Sequence, residues 1–143
     1  MAINHLFYRL AGLFAPGMLL AGHVLAAGLT PVTPEELKNL QQSGAVVVDI
    51  RTAAEWNKTG VIPGSRELTY FDANGQSDRS AWLKSLRAVV PDSNARVILV
   101  CRAGHRSAMV GKMLGEEEGY AQVYHLEKGM NEWLAQRNPV NPP

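Results

Sequence analysis

The sequence predicts a single α/β domain with a mostly parallel central sheet and helices on both faces. Three apolar runs, "AVVVDI" (45–50), "RVILV" (96–100) and "AQVYHL" (121–126), alternate with stretches of helical period. The first two are continuous rather than alternating, the pattern of strands buried on both faces of a sheet. A composition of 46% hydrophobic and 19% charged residues suits one globular domain and excludes a disordered chain.

Residues 1–26 stand apart. They carry one charge, Arg9, an apolar run broken at Pro16-Gly17, and small residues at Val24-Leu25-Ala26. This is the order of a secretory leader cut after Ala26, which places the mature chain in the periplasm or outside the cell with no membrane span. The alternative is an uncleaved anchor, against which Pro16 and the glycines of residues 10–27 count. Without residues 1–26 the basic and acidic side chains balance at 13 each. A neutral chain without a basic block carries no electrostatic footprint for nucleic acid.

The domain then runs from 27 to 137. Thr33, Pro34 and Glu36 form a capping box with proline in the first turn, so a helix begins there and Gly44 ends it. Strand 45–50 follows. Thr52 and Glu55 repeat the capping-box spacing and predict a short helix over 53–58. "GVIPGS" (60–65) and "FDANGQ" (71–76) are turns. Asp78 to Val90 is amphipathic, with Trp82, Leu86 and Val89 at helical spacing, and Pro91 stops it. After strand 96–100, Ser107 to Glu118 is predicted as a helix. Met109, Val110, Met113 and Leu114 form its apolar face, and Glu116 to Glu118 a solvated one. Strand 121–126 and a short helix at 131–136 complete the domain. The tail "NPVNPP" (138–143) is expected to fray.

The chemistry is concentrated in "VCRAGHRSAM" (100–109), which holds the one cysteine of the chain. Cys101 falls between a strand and a helix, at the carboxyl edge where open parallel sheets bind ligands. A lone thiol closes no internal disulfide. A helix N-terminus and the cations Arg102 and Arg106 favour a thiolate there. Gly104 allows the positive φ that curls the amides of residues 102–106, Ala103 and His105 among them, into an anion-binding nest. The spacing is C-x4-R, one residue shorter than the C-x5-R loop with which cysteine-dependent phosphatases hold a tetrahedral phosphate. The shorter nest fits a smaller anion, such as the outer sulfur of a persulfide. Scattered histidines with one cysteine give no metal-ligand spacing.

"CRAGHRS" (101–107) resembles the active-site loop of the rhodanese (sulfurtransferase) family. "VVVDIRTAAEW" (46–56) is similar to that family's V-D-V-R-x-x-x-E segment, "GVIPGS" to its G-H-I-P-G-A, and "GYAQVYHLEKGMNEW" (119–133) to its ending. The motifs occur in order from Thr33 to Trp133. Val61 replaces the family's histidine in G-H-I-P-G, and Lys128 the first of its two late glycines. The resemblance implies a rhodanese-like fold and transfer of a sulfane sulfur, without cofactor, from a small anionic donor such as thiosulfate to cyanide or a thiol. Cys101 would be nucleophile and sulfur carrier. Arg106 would brace the loop, while Arg102 and His105 meet the donor's charge. Ser107 is expected to cap its helix. Asp49, at a neighbouring strand end, is expected to support the loop amides or Arg106, and Arg51 to pair with Glu55. His125 is expected to be a buried strand residue. A persulfide relay serving a protein partner is the alternative function; a phosphatase or an inactive scaffold fits the short loop and retained cysteine less well.

Overall fold

The structure, a computed structural model, describes residues 28–143; the expected leader lies outside them. Five strands, β1 (Leu29–Val32), β2 (Val46–Asp49), β3 (Arg66–Glu67), β4 (Arg96–Val100) and β5 (Gln122–Leu126), form one parallel sheet in the order β1-β5-β4-β2-β3. Five helices connect and follow them: α1 (Pro34–Gln42), α2 (Ala53–Thr59), α3 (Arg79–Val89), α4 (His105–Glu116) and α5 (Gly129–Ala135).

The predicted strands and helices are all present, with ends shifted by a residue or two. Central β4 explains its continuous apolar run: Val97 to Val100 are buried, and successive side chains feed opposite faces. Val97 and Leu99 join Leu86, Val110, Leu114 and Val123 in one core. Ile98 and Val100 join Leu37, Val47, Leu126 and Trp133 in the other. Each such side chain contributes roughly 1.5–3 kcal/mol of burial.

Both capping boxes form. Thr33 Oγ1 accepts from the Glu36 amide and Thr52 Oγ1 from the Glu55 amide, while each glutamate accepts from its cap's backbone N–H. α3 is capped instead by Asp78, which accepts from the Ala81 amide.

One expectation about the surface fails and another holds with an addition. The tail is held rather than frayed: Asn141 and Val61 exchange both backbone hydrogen bonds at 2.9 Å, and Trp133 Nε1 donates to the Pro139 carbonyl. A short tail needs no long ladder when one isolated bridge and one buried indole hold it. Glu117 and Glu118 are not simply solvated. Arg79 of α3 bonds both, and Arg87 reaches Glu118, so α3 cations offset carboxylates that the carboxyl end of α4 disfavours.

Candidate active site

Cys101 follows β4 directly and is 1% exposed. The loop after it turns at Gly104, whose φ of 96° places it in the left-handed region. That glycine is the N-cap of α4, so the helix starts at His105, two residues before the expected start. Ser107 is therefore not the cap. It lies inside the first turn, fully buried, with its Oγ 3.0 Å from the Gly104 carbonyl. A glycine cap has no side chain to announce it, and the capping preference pointed to the nearest serine instead.

Two amides point at the sulfur. The Gly104 N–H donates to Cys101 Sγ at 3.1 Å, and the Ser107 N–H approaches it at 3.4 Å. The Ser107 hydroxyl lies 3.4 Å away. Of the expected donors from residues 102–106, Gly104 reaches the resting sulfur, and Ser107 supplies the second. With the positive end of α4 behind them, these donors form a cradle suited to an anion on the sulfur.

The outer face of the loop is tied down by α5. Met130 N donates to the Cys101 carbonyl and Asn131 N to the Arg102 carbonyl. Gly129, at φ 61°, lies so close to the Cys101 and Arg102 carbonyls that a Cβ there would overlap them. The neighbouring Lys128 has φ −106°, ordinary for any residue, so losing the family's glycine there costs the backbone nothing. Its side chain is exposed, 4.0 Å from Glu132.

The expected ion pairs exchange partners. Arg106 makes a two-pronged contact with Glu55, at 2.9 and 2.6 Å, and so braces the loop against α2. Arg51 turns back onto Asp49, which accepts from its Nε and Nη2. Both residues are about 1% exposed, and Arg51 also donates to Thr59 Oγ1 and the Gly60 carbonyl. Asp49 thus makes no hydrogen bond to the loop. Its partner is two residues along its own strand end, and this pair anchors the neighbouring turn.

The Arg106 contact, first of all, holds the Glu55 carboxyl down at a pKa of about 2; burial opposes it, and the bond from the Thr52 backbone adds to it. Because the folded value lies below the ordinary 4.5, the contribution is present above pH 4.5 and is lost as pH falls towards 2. Partial exposure screens it to about 1 kcal/mol or less. Glu55→Gln should therefore lower stability at neutral pH and flatten the acid limb between those values. Urea melts across that range measure both effects.

The site opens into a cavity of about 550 Å³ whose rim includes Arg102, His105, Phe71 and Met109. Arg102 and His105 are exposed, as expected. Met109 is 62% exposed and belongs to this mouth, not to the core face of α4. A larger groove of about 660 Å³ beside Trp56, Tyr70 and Trp82 has no cysteine, histidine or cation in its lining. The thiol lines the smaller cavity. Among the described residues no group of acids, histidines or thiols is arranged to hold a metal ion.

One contact was not legible in the sequence. His125, on β5, is 8% exposed, and its Nδ1 lies 3.4 Å from Ser107 Oγ. It was expected to be buried, but not to stand behind the cysteine.

A parallel sheet with a buried cysteine cradled by amides at the start of a helix defines a class of cysteine-loop α/β proteins. Within that class the chain belongs to the rhodanese family, its residues 33–136 matching the rhodanese-like domain. It is 29% identical over 115 residues to thiosulfate sulfurtransferase GlpE of Pseudomonas fluorescens, covering 76% of this chain and 94% of that protein. GlpE of Pseudomonas aeruginosa is 29% identical over 102 residues, with 71% of this chain and 81% of the relative covered. Among solved structures, the polysulfide-sulfur transferase homodimer of Wolinella succinogenes superposes with a TM-score of 0.63 at 23% identity, over 82% of this chain and 83% of that one. This last likeness shows the fold alone.

Proposed function

We propose that this protein is a thiosulfate sulfurtransferase that carries sulfur as a persulfide on Cys101. The observation that carries the reading is the pair of amides, from Gly104 and Ser107, aimed at one buried sulfur. The names of the relatives support sulfur transfer as the activity.

In the first half-reaction the Cys101 thiolate attacks the sulfane sulfur of thiosulfate. A new S–S bond forms, the old one breaks, and sulfite leaves with the electron pair. In the second half, cyanide or a thiolate attacks the outer sulfur of the persulfide, giving thiocyanate or a new persulfide and restoring the Cys101 thiolate. The negative charge passes between the Cys101 sulfur and its outer sulfur in the course of the two half-reactions. A fixed cradle of N–H donors stabilises it without reorganisation. Arg102 and His105 draw the anionic donor to the mouth, and Arg106, held by Glu55, sets the loop's shape.

A relay to a protein acceptor is the second reading. Met109 at the mouth, beside the partly buried Phe71, favours it, since an exposed apolar side chain there suits a protein surface better than a small anion. Export of the chain, proposed from residues 1–26, would place either activity in the periplasm or outside the cell, and N-terminal sequencing of the exported protein would test it.

Intact-mass measurement after treatment with thiosulfate is expected to show a gain of one sulfur atom, removed by cyanide. A gain only from a persulfidated protein would favour the relay. No gain from any donor would overturn both readings.

A further inference from the structure

The buried His125 has no part in the reaction as written, yet it stands one hydroxyl away from the nucleophile. Ser107 Oγ has one proton to give and three acceptors around it. These are the Gly104 carbonyl at 3.0 Å, His125 Nδ1 at 3.4 Å and Cys101 Sγ at 3.4 Å. Where that proton points depends on whether Nδ1 carries one of its own. A bare Nδ1 would draw the hydroxyl proton towards the ring and away from the sulfur.

A protonated Nδ1 would instead donate to Ser107 Oγ across their 3.4 Å contact and leave the hydroxyl proton to the other two acceptors. The Gly104 carbonyl already accepts from the Ala108 amide at 3.0 Å, and a thiolate draws a hydroxyl proton more strongly than a neutral carbonyl does. Burial holds His125 below its usual pKa, against weaker opposing effects of Glu127 and Gly104, so the ring is neutral and carries one proton. The charged and titratable groups around the sulfur and the ring are Arg102, His105 and Arg106 of the loop, Glu55, Glu127 and the closed Asp49–Arg51 pair. None of them forms a hydrogen bond to Ser107 or His125.

We propose that His125 is a positioning residue for the Cys101 thiolate: its Nδ1–H donates to the Ser107 oxygen, turning the Ser107 hydroxyl proton onto the sulfur. The anion then has three donors, two amides and one hydroxyl. This rests on Cys101 as the sulfur-carrying thiolate. The hydroxyl moves no proton to the sulfur; it orients one, and the same donor serves the thiolate and the sulfur of the persulfide.

The test is the pH profile of Cys101 alkylation by iodoacetamide, which reads the thiolate whether or not sulfur is transferred. Ser107→Ala and His125→Leu should each move the profile to higher pH, slowing alkylation at mildly acidic pH about tenfold. The double variant should be no slower than either single one, because both remove the same donor. His125→Asn keeps an N–H near the place of Nδ1 and should restore most of the rate. An unchanged profile in Ser107→Ala, effects that multiply, or equal losses in His125→Leu and His125→Asn would overturn the proposal. Imidazole ¹⁵N chemical shifts of the unsubstituted protein test it independently of any variant's folding: protonated Nδ1 is expected, and protonated Nε2 would overturn it. If wild-type alkylation depends on His125 but no donor delivers sulfur, sulfur transfer fails and the positioning role stands.

Discussion

Cys101→Ser is expected to lose sulfur transfer by about a thousandfold or more while keeping the fold. The substitution changes one atom at a site that is 1% exposed, and the hydroxyl is smaller than the thiol, so the packing around β4 has little to resist. The chemistry has no substitute. A serine hydroxyl stays protonated where a thiol ionises, and the amides of Gly104 and Ser107 would then face a neutral oxygen. Since the chain has no other cysteine, no second thiol can take over. The variant should show neither the mass gain with thiosulfate nor thiocyanate formation, with an unfolding free energy from urea melts unchanged to within about 1 kcal/mol. Activity within tenfold of the unsubstituted protein would remove Cys101 from the mechanism.

Gly104→Ala should be the most damaging change that leaves every reactive group in place. Two objections act together. The φ of 96° is strained for any residue with a Cβ, at about 1–3 kcal/mol. In addition, the new methyl would overlap the Glu127 carbonyl, which is backbone and cannot swing aside. Relief requires the loop to lift from β5, and that takes the Gly104 amide away from the sulfur. Losing one anion-stabilising donor of this kind costs about a hundredfold to a thousandfold in rate. Gly44→Ala is the control: its φ is 95°, but nothing lies within 4 Å of the added methyl. It should lower stability by a similar strain and leave the rate unchanged. Equal rates in the two variants would show that the turn at Gly104 does not set the cradle.

The features legible in the sequence were those written in one stretch of chain. Both capping boxes, the three apolar strands and the glycine turn before α4 follow from local periodicity and residue type. β1 escaped notice because "LTPV" has neither an apolar run nor clean alternation; its strand form comes from pairing with β5, Val32 opposite Leu126. β3 is two exposed residues, too short to carry a pattern.

At the site, the nucleophile and its loop were readable because β4, Cys101 and α4 are contiguous. The ion pairs were not. Arg51 and Glu55 sit at a helical spacing that suggests pairing, but Arg51 folds back along the strand end, and Glu55 is left facing a loop 51 positions away. Met109 satisfied the helical period of α4 yet lies in its opening turns, exposed at the mouth of the cavity. His125 behind Ser107 depends on β5 lying next to β4 with His125 beside Leu99. That register is a property of the assembled sheet.

The bridge between Asn141 and Val61 also bears on how the chain matures. Val61 follows directly on α2 and Gly60, whose carbonyl holds Arg51, and α2 carries the glutamate that grips Arg106. The loop's buttress is therefore fastened from behind by residues synthesised some 80 positions later. The sheet can assemble as soon as β5 is available, but this fastening waits for Asn141. A fusion partner attached close behind that residue would pull on the same strap.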